Sequence, residues 1–455
     1  MSKNKYQRNV LNQLSPVQLL LLFYGIAVVF STVLLSLPVA HKPDVNIPFI
    51  DIMFTAVSAI SVTGLSTITI VDSFSTIGIV FLAIIMQLGA VGIMAIGTLI
   101  WLILGKRIGF KERSMIMTDQ NQTHFDGMVR LIKGIIYVLL IIELIGFLIL
   151  GTYYLQYFPT AREAYIQGFF GTISAISNGG FDITGQSLVL FKDDYFVQFI
   201  QILLIIFGAI GFPVLIELKE YLFRKRTERN LFHFSLFTKV TTVTFFVLIV
   251  IGALGIYLLD MNAFFKGLTW HESLFYALFQ SVTTRSGGLS TMDVSLLTET
   301  NQLFMSGLMF IGASPSSAGG GIRTTTFALA IIFVFTYIRG GNSVRIFNRE
   351  VYNDDLIKAV SITLFAITLV IFSTLVLTAL EPLFTLEEIL FEVTSAFGTV
   401  GLSLGITSEL SNISKILIML LMFIGRIGIV TFLLIFKRKK KKAKYHYPKE
   451  RIIIG

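Results

Sequence analysis

Cysteine is absent from this 455-residue chain, which excludes disulfides and thiolate metal sites together. Charge is scarce as well. Asp, Glu, Lys and Arg make up 14% of the residues, against about 25% in an average soluble domain. The five histidines (His41, His124, His233, His271 and His446) are scattered without metal-ligand spacing. No Gly-x-Gly-x-x-Gly lies between a strand and a helix, and neither a phosphate loop nor a hydrolase triad is evident. A membrane enzyme and a nucleotide-binding domain within this chain are therefore not expected. What fills the chain instead is apolar: 54% of residues are hydrophobic.

Eight stretches stay apolar for about 20 residues or more, long enough for a helix to cross a bilayer: 17–37, 77–104, 131–155, 197–222, 238–259, 304–338, 357–380 and 413–436. They predict an all-α polytopic membrane protein. The first stretch is too long for a signal-peptide core and no small-residue cleavage site follows it, so it is expected to remain as a span. The net charge of +9 is explained by topology rather than by nucleic acid. With the N-terminus assigned to the cytoplasm and sides alternating, 28 of the 36 Lys and Arg fall on inside segments, as the positive-inside rule requires. Both termini are then cytoplasmic. The run KRKKKKAK at 437–444 is expected to lie against anionic headgroups of the bilayer.

Four segments share one motif: SAISVTGLS, SAISNGGFD, SVTTRSGGLS and SAFGTVGLS. Their last glycines are Gly64, Gly180, Gly288 and Gly401, spaced 108 to 116 residues apart. Each motif sits between an odd span and the next even span and follows a short apolar segment (52–61, 165–176, 273–282 and 386–397). Such segments are too short to span and fit re-entrant half-helices. The chain thus reads as four helix–pore loop–helix units around a central pore: 1–104, 105–223, 224–338 and 339–436, with a basic cytosolic tail at 437–455. Backbone carbonyls can replace the hydration shell of a cation without adding side-chain charge, and glycine lets the carbonyl turn inward. The candidate ligands are the carbonyls of Val62, Thr63 and Gly64; Asn178, Gly179 and Gly180; Ser286, Gly287 and Gly288; and Thr399, Val400 and Gly401. One glycine per loop implies a shorter filter than Thr-Val-Gly-Tyr-Gly provides, with a potassium preference less stringent than that filter's.

The inner spans carry a second glycine marker at Gly89, Gly208, Gly312 and Gly425, three of them continuing as Gly-x-x-Gly. Close approach of membrane helices is the simplest role for such small residues. The third repeat breaks the pattern. Gly312, Ala313, Ser314, Pro315, Ser316, Ser317, Ala318, Gly319, Gly320 and Gly321 cannot continue an ordinary helix. Unwound backbone at that depth needs partners from protein or a water-filled cavity, and directly beneath a pore it can obstruct the passage. Arg426 stands at the position of Ala90, Ala209 and Ala313; its expected partners are carbonyls of that segment, with a carboxylate such as Glu217 the competing choice. Arg323 is expected near the inner surface. Arg285 is expected to brace its loop through a carboxylate, Glu143 to pair with an adjacent pore element, and Asp182 either to draw cations to the mouth or to be a plain loop carboxylate.

The segments TSAFGTVGLSLGIT (394–407), MFIGRIG (422–428) and FIGASPSSAGGGIRTTTF (310–327) resemble the Trk/Ktr/HKT cation-transporter superfamily, in particular the membrane subunit (B or D type) of Ktr potassium-uptake systems. The resemblance runs over nearly the whole chain. It implies K+ as the transported ion, held at the four glycines, with gating by 312–321 and Arg426. It further implies a homodimer in the bacterial plasma membrane, a cytosolic RCK-type ring (KtrA/KtrC-like) that binds adenine nucleotides, and Na+ as an activator. No nucleotide is expected on this chain itself, and the tail at 447–455 resembles the family's tail at the dimer interface. A sodium-selective or sodium–potassium coupled transporter on the same scaffold is the alternative.

Overall fold

The computed structural model describes residues 15–92, 95, 109–119, 128–224, 232–341, 343–435, 448, 450 and 452. The first repeat contains α1 (Pro16–Leu35), the half-helix α2 (Phe49–Ser61) and α3 (Thr76–Val91). After α4 (Phe110–Asp119), the second contains α5 (Met128–Tyr153), half-helix α6 (Ala161–Ile176), α7 (Tyr195–Ala209) and α8 (Phe212–Phe223). The third contains α9 (Leu236–Asp260), half-helix α10 (Trp270–Thr283), α11 (Glu299–Phe310) and α12 (Thr324–Ile338). A two-stranded hairpin, β1 (Arg345–Ile346) with β2 (Arg349–Glu350), leads into the fourth. That repeat contains α13 (Asn353–Leu380), half-helix α14 (Leu386–Gly398), α15 (Asn412–Ile427) and α16 (Ile429–Ile435). The end of the second expected span (96–104), Phe436 and the basic run at 437–444 lie outside the described residues, as does most of the tail at 447–455.

Among the described residues, the first helix of each repeat (α1, α5, α9 and α13) is long and apolar enough to cross a bilayer. These helices turn Val29, Leu144, Val250 and Leu375 outward, each more than half exposed, as lipid-facing side chains should be. The half-helices are the opposite. Phe54, Phe170, Phe279 and Phe391 are each at most 1% exposed and anchor the four half-helices in the core. Sharp starts set their length. Thr160, Thr269 and Thr385 each accept a hydrogen bond at the helix N-terminus, the last two within full capping boxes. Every half-helix carries an acid in its first turn and no base in its last. The partly positive N-terminal ends are therefore compensated, and the partly negative C-terminal ends are left free to favour a cation.

The inner spans correct the expectation of eight continuous helices with a break in the third repeat alone. The α7–α8 pair bends by 106°, and all three Gly-x-x-Gly pairs end a helix at their second glycine. Gly92, Gly211 and Gly428 have φ of 92°, 102° and 89° with ψ of 136°, 127° and 141°, a conformation closed to side-chain-bearing residues at ordinary cost. The first glycine does serve close approach. A Cβ on Gly89, Gly208 or Gly425 would strike the carbonyl oxygen of Ile60, Ile176 or Phe397 in its own repeat's half-helix.

Candidate functional site: a glycine ring above a clasped segment

Past the end of each half-helix, a left-handed residue lies two positions before the marker glycine. Val62, Asn178, Ser286 and Thr399 have φ of 57°, 56°, 75° and 49°, followed by Gly64, Gly180, Gly288 and Gly401 at 95°, 67°, 73° and 96°. The same two-step turn thus occurs four times. It brings the glycines into one closed ring. A Cβ on Gly64 would lie 2.9 Å from the Cα of Gly180, one on Gly180 2.9 Å from that of Gly288, and one on Gly401 3.2 and 3.1 Å from those of Gly288 and Gly64. Carbonyls converge on the same spot. The oxygen of Gly179 faces Gly64 at 2.7 Å by the same measure, that of Val400 faces Gly288 at 2.5 Å, and that of Thr63 faces Gly401 and Gly180. These oxygens belong to the residue just before the glycine.

The loops are held in two ways. In repeats one and four, Ser58 and Ser395 accept the N–H of Gly64 and Gly401, each at 3.1 Å. In repeats two and three, Ser174 and Thr283 instead donate to the carbonyls of Phe181 and Leu289, at 2.6 and 2.5 Å. The fourfold pattern is therefore a pair of pairs. On one side of the ring lies a cavity of about 410 Å³, lined by all four glycines with Ser66, Asp182, Ser403 and Thr407. Asp182 faces it with its oxygens engaged, accepting from the N–H groups of Gly185 and Ser187 at 2.8 Å each. Its first task is to shape the loop. The ring is closed between repeats four and one by Lys415 of α15, which donates to Asp51 of α2 at 2.8 Å in a largely buried pair.

On the other side lies the segment between α11 and α12. Residues 313–322 are buried. Helix ends leave their last four carbonyls without intrahelical partners, and the breaks at Gly92, Gly211 and Gly428 free such carbonyls at one level. The segment uses two of them and Arg426 the third. Ala318 and Ser314 N–H donate to Gly208 and Ala209 O at 3.0 Å, Gly321 N–H donates to Gly425 O at 3.3 Å, and Arg426 Nη2 donates to Gly89 O and, at 3.1 Å, to Ala90 O. The other guanidinium nitrogen of Arg426 donates to the carbonyls of Ser317, Ala318 and Gly319. The expected carbonyl partners of Arg426 are thus observed, whereas Glu217 accepts from the N–H of Ser235.

Of two further arginines, Arg285 corrects the sequence reading. Arg323 Nη1 donates to Gly319 O and Ser314 O within the segment. Arg285 is fully buried and donates to Ile311 O at 2.5 Å and to Leu308 O. It braces the C-terminal end of α11 through carbonyls, not through a carboxylate. Glu143 accepts from Gln87 Nε2 of α3 at 2.5 Å, which supplies the inner-helix partner that the sequence left unidentified. The repeated phenylalanine nine or ten residues before each marker glycine was a readable signal that the motif search passed over.

Four units of one half-helix and two flanking helical segments around a shared glycine ring define an all-α polytopic membrane protein. Comparison with known proteins gives its family. The model of the TrkH family, described as a cation transport protein, matches residues 24–446, and the chain belongs to that family. It is a transporter, not an enzyme. It is 56% identical over 446 residues to the Ktr system potassium uptake protein D of Bacillus subtilis, covering 98% of each chain. It is 33% identical to the Ktr system potassium uptake protein B of the same organism, covering 97% of each. The crystal structure of the potassium transporter TrkH from Vibrio parahaemolyticus shares the fold, with a TM-score of 0.68 at 19% identity over 91% of this chain and 84% of that one.

Proposed function

We propose that this chain carries potassium into the bacterial cell through the ring of Gly64, Gly180, Gly288 and Gly401, with the 312–321 segment as its gate. The observation that carries the reading is the closed ring itself, four left-handed glycines with the carbonyl oxygens of Thr63, Gly179 and Val400 packed against neighbouring glycines of the ring. A dehydrated K+ needs several oxygens at once, and these loops offer them without a side-chain charge. The 410 Å³ cavity is the outer mouth, and the clasped segment closes the inner side. Uptake needs no coupling chemistry, since an inside-negative potential contributes about 2.3 kcal/mol per unit charge per 100 mV. Potassium in the names of the relatives favours it over the sodium-selective or sodium-coupled alternative. The active form is a homodimer with both termini in the cytoplasm, seated on an RCK-type nucleotide-binding ring, with Na+ as activator. Expression in a strain lacking its own potassium uptake tests the ion: growth at low external potassium is expected, and failure to grow with sodium influx intact refutes the potassium assignment.

A further inference from the structure

The ring and the clasped segment touch at Ser286. Its backbone is one of the four left-handed positions, and its side chain is fully buried. The hydroxyl oxygen accepts the N–H of Gly320, from the segment, at 3.2 Å. As a donor the hydroxyl faces Thr399 O at 2.7 Å and Gly398 O at 3.0 Å, oxygen to oxygen, in the loop of repeat four. Thr399 Oγ1 is a further neighbour at 3.0 Å. Packing follows the same line. A Cβ on Gly320 would fall 2.6 Å from Thr399 Oγ1, and one on Gly319 2.5 Å from Ser286 Cβ. The three matching residues are not equivalent. Val62 has no polar side-chain atom, and neither polar side-chain atom of Asn178 has a hydrogen-bond partner.

We propose that Ser286 is a positioning residue that couples the state of the 312–321 segment to the ion preference of the ring. With the segment seated, the Gly320 N–H fixes the hydroxyl, whose proton then points at Thr399 O and competes with an ion for that carbonyl. When the segment withdraws, the hydroxyl loses the donor that orients it and can turn away. Thr399 O is then available to the pore. Hydrogen bonds to one acceptor are directional, so a single bond lost on one side changes the preferred geometry on the other. Selection thereby depends on the gate, although no helix of the ring need move.

The coupling rests on the reading of the ring as filter and of the segment as gate, and the test separates the two. Full-length protein, a deletion of 314–320, Ser286→Gly and the combination are reconstituted in vesicles, and K+ and Na+ fluxes are measured for each. Glycine is chosen because φ is +75° at this position, where it carries no strain. The deletion is expected to raise flux and to change the K+/Na+ flux ratio by about three- to tenfold, the worth of one hydrogen bond. Ser286→Gly should change the ratio in the same direction with the segment intact, and the combination should go no further than either alone. Multiplying effects, or an unchanged ratio in Ser286→Gly, overturn the coupling. If the deletion raises flux but leaves the ratio alone, the gate stands and the coupling falls. If it leaves flux unchanged, the gate reading falls and takes the coupling with it. Where Ser286→Gly does not insert, Ser286→Ala, which also lacks the hydroxyl, takes its place with the same expected and overturning results.

Discussion

The backbone of a single residue recurs as the working unit of this protein. A left-handed glycine costs little, whereas a side chain in the same conformation costs roughly 1–2 kcal/mol before any contact is counted. Gly180→Ala adds to that a Cβ 2.9 Å from the Cα of Gly288 and 3.3 Å from that of Gly64, where backbone cannot yield cheaply. Rubidium uptake, normalised to inserted protein, is expected to fall more than about tenfold if the loss exceeds 1.4 kcal/mol at the ring. Wild-type uptake in an inserted Gly180→Ala protein is the result that removes this glycine from the ion path. The four glycines were legible in the sequence because they repeat within a longer motif. The left-handed residues before them were not, since Val62, Asn178, Ser286 and Thr399 share no side-chain chemistry. Nor was Arg285 legible. A buried guanidinium satisfied by helix-end carbonyls leaves no complementary charge in the sequence to find.

Among the elements, the broken inner helices have the largest consequence. The breaks at Gly92, Gly211 and Gly428 read in the sequence as sites of close packing, because a small residue permits either and only the backbone angle distinguishes them. The third repeat was legible through Pro315 and its triple glycine; Gly92 stands in an apolar run without such an interruption, and beside Gly211 and Gly428 there is only a lone Pro213 or Arg426. Three helix ends at one level provide the carbonyls on which the segment and Arg426 rest. Arg426→Ala removes five of those hydrogen bonds and exposes carbonyls from two repeats. Its flux without any cytosolic partner is expected to exceed that of wild type, though by less than deletion of 314–320 achieves. Equal or lower flux in correctly inserted Arg426→Ala protein argues against the clasp as the closed state. The Lys415–Asp51 pair makes a separate prediction about ring closure. Removing one member leaves a buried charge alone, at a typical cost of about 3–5 kcal/mol. Lys415→Met should therefore lower the thermal midpoint in detergent more than Lys415→Met combined with Asp51→Asn does; the reverse order assigns the pair no closing role.

At the scale of the whole molecule, fourfold and asymmetric features divide the labour. Phe54, Phe170, Phe279 and Phe391, the half-helices and the glycines repeat in every unit. The unwound segment occurs once and Arg426 once, and both draw on the freed carbonyls of the other repeats. If the segment is the gate proposed above, opening releases contacts to several repeats together, as a two-state element would. Moving such an equilibrium from 1:99 to 99:1 takes a ligand that favours one state by about 5.5 kcal/mol. On the proposed reading, the RCK-type ring supplies that difference, and an adenine nucleotide acts on flux through this second polypeptide. Adding nucleotide to vesicles that contain this chain alone is expected to leave potassium flux unchanged. Adding it after the RCK-type ring has been bound should change flux severalfold, with direction set by the nucleotide. A nucleotide response from the chain alone places the regulatory site within it and removes the need for the ring. No response in either arrangement detaches gating from nucleotides altogether, leaving the clasp to respond to ions or voltage.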